Sequence, residues 1–195
     1  SRVVIDDDQA FAIEFTQNIP KTTAKTPRLP LPIPVRLGLV GDDGAIVPFR
    51  LSVNAHYLDE QVILVTGITH RQAIFQASSG KTVPSLLRNF SAPVILKDDL
   101  SSSERLHLMA HDADMFNRWD AAQTLLADQI LAIAHHPKYG VDETAIAALA
   151  KVYANSLADP ALLDMFKSGL LTLPAISVLE SSMTPADPVA LFHAR

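Results

Sequence analysis

The spacing of apolar residues changes near residue 100, and that change most constrains the fold. Before it, Phe11, Ile13 and Phe15 alternate with Ala12, Glu14 and Thr16. A period of two marks a half-buried strand. Beyond residue 100 the period becomes 3.6, the spacing of an amphipathic helix. One sheet or one bundle cannot satisfy both, so the chain reads as two domains, 1–100 and 101–195.

The first half is a series of short strands. Pro27, Pro30, Pro32 and Pro34 stiffen a connection and forbid helix. In Ile33–Val40 the odd positions Val35, Leu37 and Leu39 share a face. Gly41-Asp42-Asp43-Gly44 is a hairpin signal, because Gly and Asp tolerate positive φ. Ala45 to Phe49 is expected to return as a partner strand. Val62–Thr66 and Gln72–Gln76 read as strands around Gly67, and Pro84 and Pro93 frame a segment ending in Val94-Ile95-Leu96. Six or seven short strands with no helical period predict a β-sandwich of immunoglobulin-like type.

The second half predicts an all-α segment, the start of a helical array. Ser101-Ser102-Ser103-Glu104 offers N-caps. Leu106, Met109 and Ala113 form one stripe, and Trp119, Ala122, Leu126, Ile130 and Ile133 another, ending at His135-His136-Pro137. Asp142 caps a third helix with Ile146, Leu149 and Val152 inward. Asp159-Pro160 is expected to start a fourth, with Leu162, Leu163 and Phe166, and Gly169 to end it. Pro174 and Pro188 open two short helices. No internal repeat at solenoid spacing is visible.

Composition narrows the function classes. The 195 residues are 48% hydrophobic and 19% charged, which suits a packed globular chain. The net charge of -5 gives no footprint for nucleic acid. Residues 101–195 hold 6 basic and 11 acidic side chains, so the excess lies there, as a solvated surface. The absence of cysteine excludes disulfides and thiolate zinc, and fits a reducing compartment. No run approaches the roughly 20 apolar residues that span a bilayer. The acidic start, Ser1 to Gln9, lacks the features of a signal peptide and has no initiator Met, as in a trimmed chain.

Candidate chemistry is sparse. His107 and His111 are four apart on a helix and face the same way, the metal geometry of the His-Glu-x-x-His zincins. Leu108 stands where the general base belongs, Asp112 and Asp114 fall on other parts of the surface, and two histidines supply half of a tetrahedral site. Gly80-Lys81-Thr82 resembles the end of a phosphate loop, but Phe75 occupies the earlier Gly position and Pro84 interferes with the following helix, so it reads as a turn. His135-His136 suits a helix C-terminus. Ser85 and Ser91 have no His/Asp pattern or Gly-x-Ser-x-Gly elbow. Asp6-Asp7-Asp8 and Asp98-Asp99 read as solvated loop charges. Arg118 is expected to pair with Asp114 one turn back. Trp119, the single Trp, reads as a core anchor at the junction of the two halves, with Asp120 beyond it. No catalytic, cofactor-binding or metal residue is assigned.

Val83-Pro84-Ser85-Leu86-Leu87-Arg88-Asn89-Phe90-Ser91-Ala92-Pro93-Val94 and Phe116-Asn117-Arg118-Trp119-Asp120-Ala121-Ala122-Gln123 are more specific. With Phe11 to Pro20, Leu31-Pro32-Ile33-Pro34, the hairpin 41–48 and Leu106 to Ala110, they make the chain resemble the bacterial alanyl aminopeptidases, the aminopeptidase N family of gluzincin zinc metallopeptidases. That family has an N-terminal β domain, a thermolysin-like catalytic domain, a small β-sandwich and a C-terminal helical domain. The resemblance implies that this chain is the third domain and the first part of the fourth. It implies a zinc site and a Gly-Ala-Met-Glu-Asn motif in a catalytic domain that these 195 residues do not include.

The function expected from the resemblance is that of a non-catalytic spacer and lid in a zinc-dependent aminopeptidase, inactive alone. Its partner would be the catalytic domain of the same chain, with peptides as substrates of the full enzyme. No nucleic acid or membrane partner is expected, the location is cytoplasmic, and exposed former interfaces favour self-association. The alternative is a stand-alone β-sandwich and helical adaptor that binds another protein. A third reading is a metal hydrolase centred on His107 and His111.

Overall fold

The computed structural model describes residues 2–7, 10–19, 29–136 and 142–195. Asp8, Pro20, Pro27 and Pro137 lie outside them. The chain divides into two compact units, Ser1–Leu100 and Ser101–Arg195.

The first unit is a sandwich of two antiparallel sheets. β1 (Arg2–Asp7), β2 (Ala10–Thr16), β6 (Thr69–Gln76) and β4 (Phe49–Leu51) form one, in the order β1-β2-β6-β4. β5 (Glu60–Val65), β3 (Ile33–Gly41) and β7 (Thr82–Leu86) form the other, in the order β5-β3-β7. The core comes from the inward positions: Phe11 and Ile13 on β2, Val35, Leu37 and Leu39 on β3, Phe49 and Leu51 on β4, Ile63 and Val65 on β5, and Ile74 on β6. Burial on β5 alternates strictly, so Val62 and Leu64 face away from the core.

Several strand expectations are corrected. Asp6 and Asp7 belong to β1, not to a loop. Pro34 lies inside β3 opposite Leu64. Arg36 directs its N–H to the Ser91 hydroxyl at 2.9 Å, away from β5, and residue 34 points the same way. β7 pairs only from Leu37 onward, so the N–H that Pro34 lacks would have met no strand.

The hairpin turn forms as expected. Gly44 takes φ 81°, its N–H donates to the Gly41 carbonyl at 2.8 Å, and the Asp43 carboxylate accepts from the Ala45 N–H. The returning strand does not form. After one bridge, Val40 to Ile46, the chain crosses to the other sheet as β4 and pairs with β6. Val94, Ile95 and Leu96 are exposed coil.

After β7 the chain makes a 3-10 turn, Arg88–Phe90, with Leu87, Asn89 and Phe90 at positive φ of 57°, 54° and 51°. None is glycine, and left-handed backbone of this kind costs on the order of 1 kcal/mol per residue. Arg88 holds the turn in place. It is 1% exposed and donates to Glu60 Oε1 at 2.7 Å. Its guanidinium lies over Gly38, where a Cβ would overlap Arg88 Nη1.

The second unit has six helices among the described residues: α1 (Ser102–His111), α2 (Met115–His135), α3 (Glu143–Ala158), α4 (Asp164–Leu170), α5 (Ile176–Ser182) and α6 (Pro188–Ala194). Ser101 and Glu104 form a reciprocal capping box on α1. Asp114, Asp142 and Asp187 cap α2, α3 and α6, and Pro188 opens α6. Asp159 closes α3 and accepts from the Ala161 N–H, so α4 starts only at Asp164. Gly169 falls inside α4, and α5 begins two residues after Pro174.

The α2 stripe is also shifted. Ala121, Ala122, Leu125, Ile130 and Ala134 are buried, whereas Leu126 and Ile133 are half-buried and Ala113 is exposed between α1 and α2. α2 packs against α1, α4 and α6, which widens its buried face beyond one stripe. Ile130 and Ala134 pack with Leu179, Met183 and Leu191. Ile146, expected inward, is exposed, and Leu163, expected within the fourth helix, is its exposed N-cap residue. No helix of the described residues is long and apolar enough to cross a membrane.

Gly38→Ala is expected to destabilise the first unit by about 2–4 kcal/mol, since the methyl must displace a buried guanidinium. Hydrogen exchange of the β3 amides should show the loss, with α2 amides unchanged.

Candidate functional site

The buried charges of the helical unit converge on Arg118. This side chain is 8% exposed. Its Nε donates to the Met109 carbonyl at 2.9 Å, its Nη2 to the Ser156 hydroxyl at 3.4 Å, and its guanidinium carbon lies 5.8 Å from the Phe166 ring centre. α1, α3 and α4 thus meet one residue of α2. Burial pushes the Arg118 pKa below its ordinary value, while Asp159 and Asp112 push it back up. Asp112 is fully buried and accepts from the Asp114 N–H at 2.9 Å.

Asp114 is not the anchor of Arg118 in this arrangement. Its carboxylate accepts from the Asn117 N–H as the α2 cap, and a capping aspartate is turned toward the helix start rather than one turn along it. Trp119 is half-buried, 5.6 Å from Phe116, with its ring facing Gly169 of α4. Arg118, which the apolar pattern had passed over, occupies the deeper position.

The other candidates are dispersed. His107 and His111 bring their ring centres to 4.8 Å. Among the described residues no group of three His, Cys, Asp or Glu side chains is placed to hold a metal. Gly80 takes φ 134° in an exposed turn between β6 and β7, and the Thr82 hydroxyl donates to Gln76 Oε1. Ser85 is buried in β7, and Ser91 accepts from the Arg36 N–H. His135 and His136 are exposed at the C-terminal end of α2. Asp98 accepts from the Leu100 N–H.

Arg88, Glu60 and Gly38 were not singled out as a group by the sequence pattern. The available signal was one arginine inside the otherwise uncharged run 82–96.

Comparison with known proteins places both units. The DUF3458 domain, described as an Ig-like fold, matches residues 4–99, and the DUF3458_C domain, described as ARM repeats, matches residues 102–195. Aminopeptidase N of Escherichia coli (strain K12) is 30% identical over 199 residues, covering 99% of this chain and 22% of that protein. The chain belongs to the aminopeptidase N family. Aminopeptidase N of Caulobacter vibrioides is 44% identical over 114 residues, 58% of this chain and 13% of that protein. A solved structure of Legionella pneumophila aminopeptidase A in complex with aspartic acid superposes over the whole chain and 20% of that protein, with a TM-score of 0.74 at 24% identity, a likeness of fold.

The chain thus spans about a fifth of the length of the E. coli relative. It matches the non-catalytic Ig-like and helical domains of the aminopeptidase N family. The helical-repeat match corrects the reading that no repeat is present. Helices of 21, 16 and 7 residues place equivalent packing positions at unequal intervals, which hides a structural repeat from a fixed-period search.

Arg118→Met is expected to cost about 1–3 kcal/mol, because it leaves the buried Met109 carbonyl and Ser156 hydroxyl without their donor. Arg118→Lys should recover little of this, since one ammonium cannot span the Met109 carbonyl and Ser156 together. Urea unfolding followed by Trp119 fluorescence reads both.

A second expectation concerns alkaline pH. Burial raises Tyr153 from its ordinary 10 to about 12. The unfolded chain therefore loses this proton first, and stability falls as pH rises from 10 and levels off above 12. The loss is on the order of 2 kcal/mol. In Tyr153→Phe this part of the pH dependence should vanish from the unfolding curves.

Proposed function

We propose that this chain is the non-catalytic β-sandwich and helical part of a zinc-dependent aminopeptidase that removes N-terminal residues from peptides. The observation that carries the reading is the match of both units, in order, to about a fifth of E. coli aminopeptidase N. The sandwich acts as a spacer, the helical unit as a cover over the catalytic domain, and the enzyme works in the cytoplasm.

Zinc in such an enzyme supplies a Lewis acid and an activated water. A catalytic zinc takes three protein ligands and keeps one position open. His107 and His111 offer two ligands on one helix face, and no third His, Cys, Asp or Glu joins them among the described residues. The residues present do not fit this group, and no step of the reaction is routed through this chain. Its own contribution is positional: two packed units, each organised by a buried arginine.

The test compares the polypeptide encoded by the complete gene with the 195-residue chain. The complete protein is expected to bind zinc and to hydrolyse an alanyl p-nitroanilide, with activity abolished by 1,10-phenanthroline. The 195-residue chain is expected to do neither. Hydrolysis by that chain alone, lost in His111→Ala, would overturn the reading in favour of a metal hydrolase. A reading frame starting with Met near Ser1 and stopping near Arg195 would leave the adaptor.

A further inference from the structure

We infer that Asp43 is a site of spontaneous covalent modification, its conversion to isoaspartate, and that the hairpin turn around it sets the rate.

The chemistry begins in the sequence. An aspartate followed by glycine can cyclise, because glycine has no Cβ to block the approach of its backbone nitrogen to the preceding carboxyl. Of the seven glycines only Gly44 follows an Asp or Asn. In the reaction the Gly44 nitrogen bonds to Asp43 Cγ. One carboxyl oxygen leaves as water, taking the amide proton and a proton from solvent. The product is a succinimide ring. Water then opens the ring at one of its two carbonyls. Breaking the bond from the nitrogen to Cγ restores aspartate. Breaking the bond from the nitrogen to the main-chain carbonyl carbon of Asp43 gives isoaspartate, and the backbone then runs through the old side chain, longer by a methylene. Water is the only co-reactant, and it is returned.

The structure restrains both reacting groups. Asp43 is exposed at the tip of the hairpin, so solvent reaches it. Its carboxylate accepts from the Ala45 N–H at 2.9 Å, an Asx-turn contact. The Gly44 N–H donates to the Gly41 carbonyl at 2.8 Å, and the Gly41 N–H donates to the Ala45 carbonyl at 2.8 Å. Cyclisation requires the Gly44 nitrogen to release its proton and face Cγ, and the carboxyl to leave Ala45. The closed turn opposes both movements, so the reaction passes through local opening. The returning segment makes one bridge, Val40 to Ile46, before it crosses to the other sheet, which makes this hairpin tip a place where opening is cheap.

The product differs from the parent in a way the fold registers. An added methylene moves Ala45 away from Gly41 and disturbs the bond from the Val47 N–H to the Leu39 carbonyl, 3.0 Å long in the unmodified chain. The arm leading to β4 is therefore loosened by modification at a residue outside any strand.

The experiment follows isoaspartate by peptide mapping and fragmentation mass spectrometry in the complete polypeptide held at neutral pH. A synthetic peptide spanning Arg36 to Arg50 is the unfolded reference. Isoaspartate is expected at Asp43 ahead of every other aspartate of these 195 residues, and several-fold more slowly than in the peptide. That factor should follow the hydrogen-exchange protection of the Gly44 amide, since both report opening of the turn. Gly41→Ala keeps the Asp-Gly pair but places a Cβ 3.0 Å from Asp43 Oδ1. It should raise the rate several-fold toward that of the peptide, with the Leu37 amide still protected as a sign that the unit remains folded. Asp43→Asn keeps an acceptor for the Ala45 N–H and forms the same ring with loss of ammonia, so it should react several-fold faster and change mass as it does. Isoaspartate appearing first at another residue, or none at Asp43 while the peptide forms it, would overturn the site. Equal rates in polypeptide and peptide would overturn control by the turn.

Discussion

The seating of one guanidinium, that of Arg88 over Gly38, organises the first unit. An arginine can be buried when a carboxylate matches its charge. Glu60 on β5 supplies the carboxylate, and Gly38 on β3 supplies the space. The contact fastens the turn after β7 onto the two neighbouring strands. It also explains why three residues other than glycine stay in left-handed backbone. Without that anchor the turn would relax into the β or right-handed region at little cost.

The helical unit uses the same device with different partners. Arg118 reaches carbonyl and hydroxyl oxygens on two other helices and has Phe166 beside it. Asp159 and Asp112 offset part of the effect of its burial. A fork of rigid donors ties elements together at fixed angles, which an apolar contact of similar area does less selectively. Each unit therefore has a polar fastening besides its apolar core, a hypothesis of specificity that the contacts motivate and mutant stability can decide.

Much of the architecture was legible in the sequence. The period-two pattern located β2 and β3, β-branched and aromatic content located β5 and β6, the Gly-Asp-Asp-Gly turn was recognised from its residue types, the serine run and Asp142 marked the helix starts at 102 and 143, and Pro188 marked that of α6. What escaped was nonlocal. That β4 leaves its hairpin neighbour to pair with β6 depends on contacts some 25 residues away in sequence. That Pro84 belongs to a strand depends on β7 being an edge. The stripe on α2 was misplaced because three helices contact it, whereas periodicity assumes one buried direction. Arg88 and Arg118 were passed over as core residues because hydropathy treats a charge as surface, and their burial depends on partners from other elements. The family motifs around both arginines were legible all the same, because a fastening needs particular side chains in particular places.

The pairing of β2 with β6 has a consequence for how the polypeptide emerges from synthesis. Ala10 meets Phe75 and Thr16 meets Thr69, so β2 can find its main neighbour only once residues 69–76 are available. Closing a loop of that length before any reward slows sheet formation. The α1 and α2 pair, joined through a three-residue step, is assembled from contacts close in sequence. Helical structure made late in the chain can thus consolidate soon after it appears, while the older β-strands wait for their partner. During that interval the early strands are the segment most in need of protection from other nascent chains.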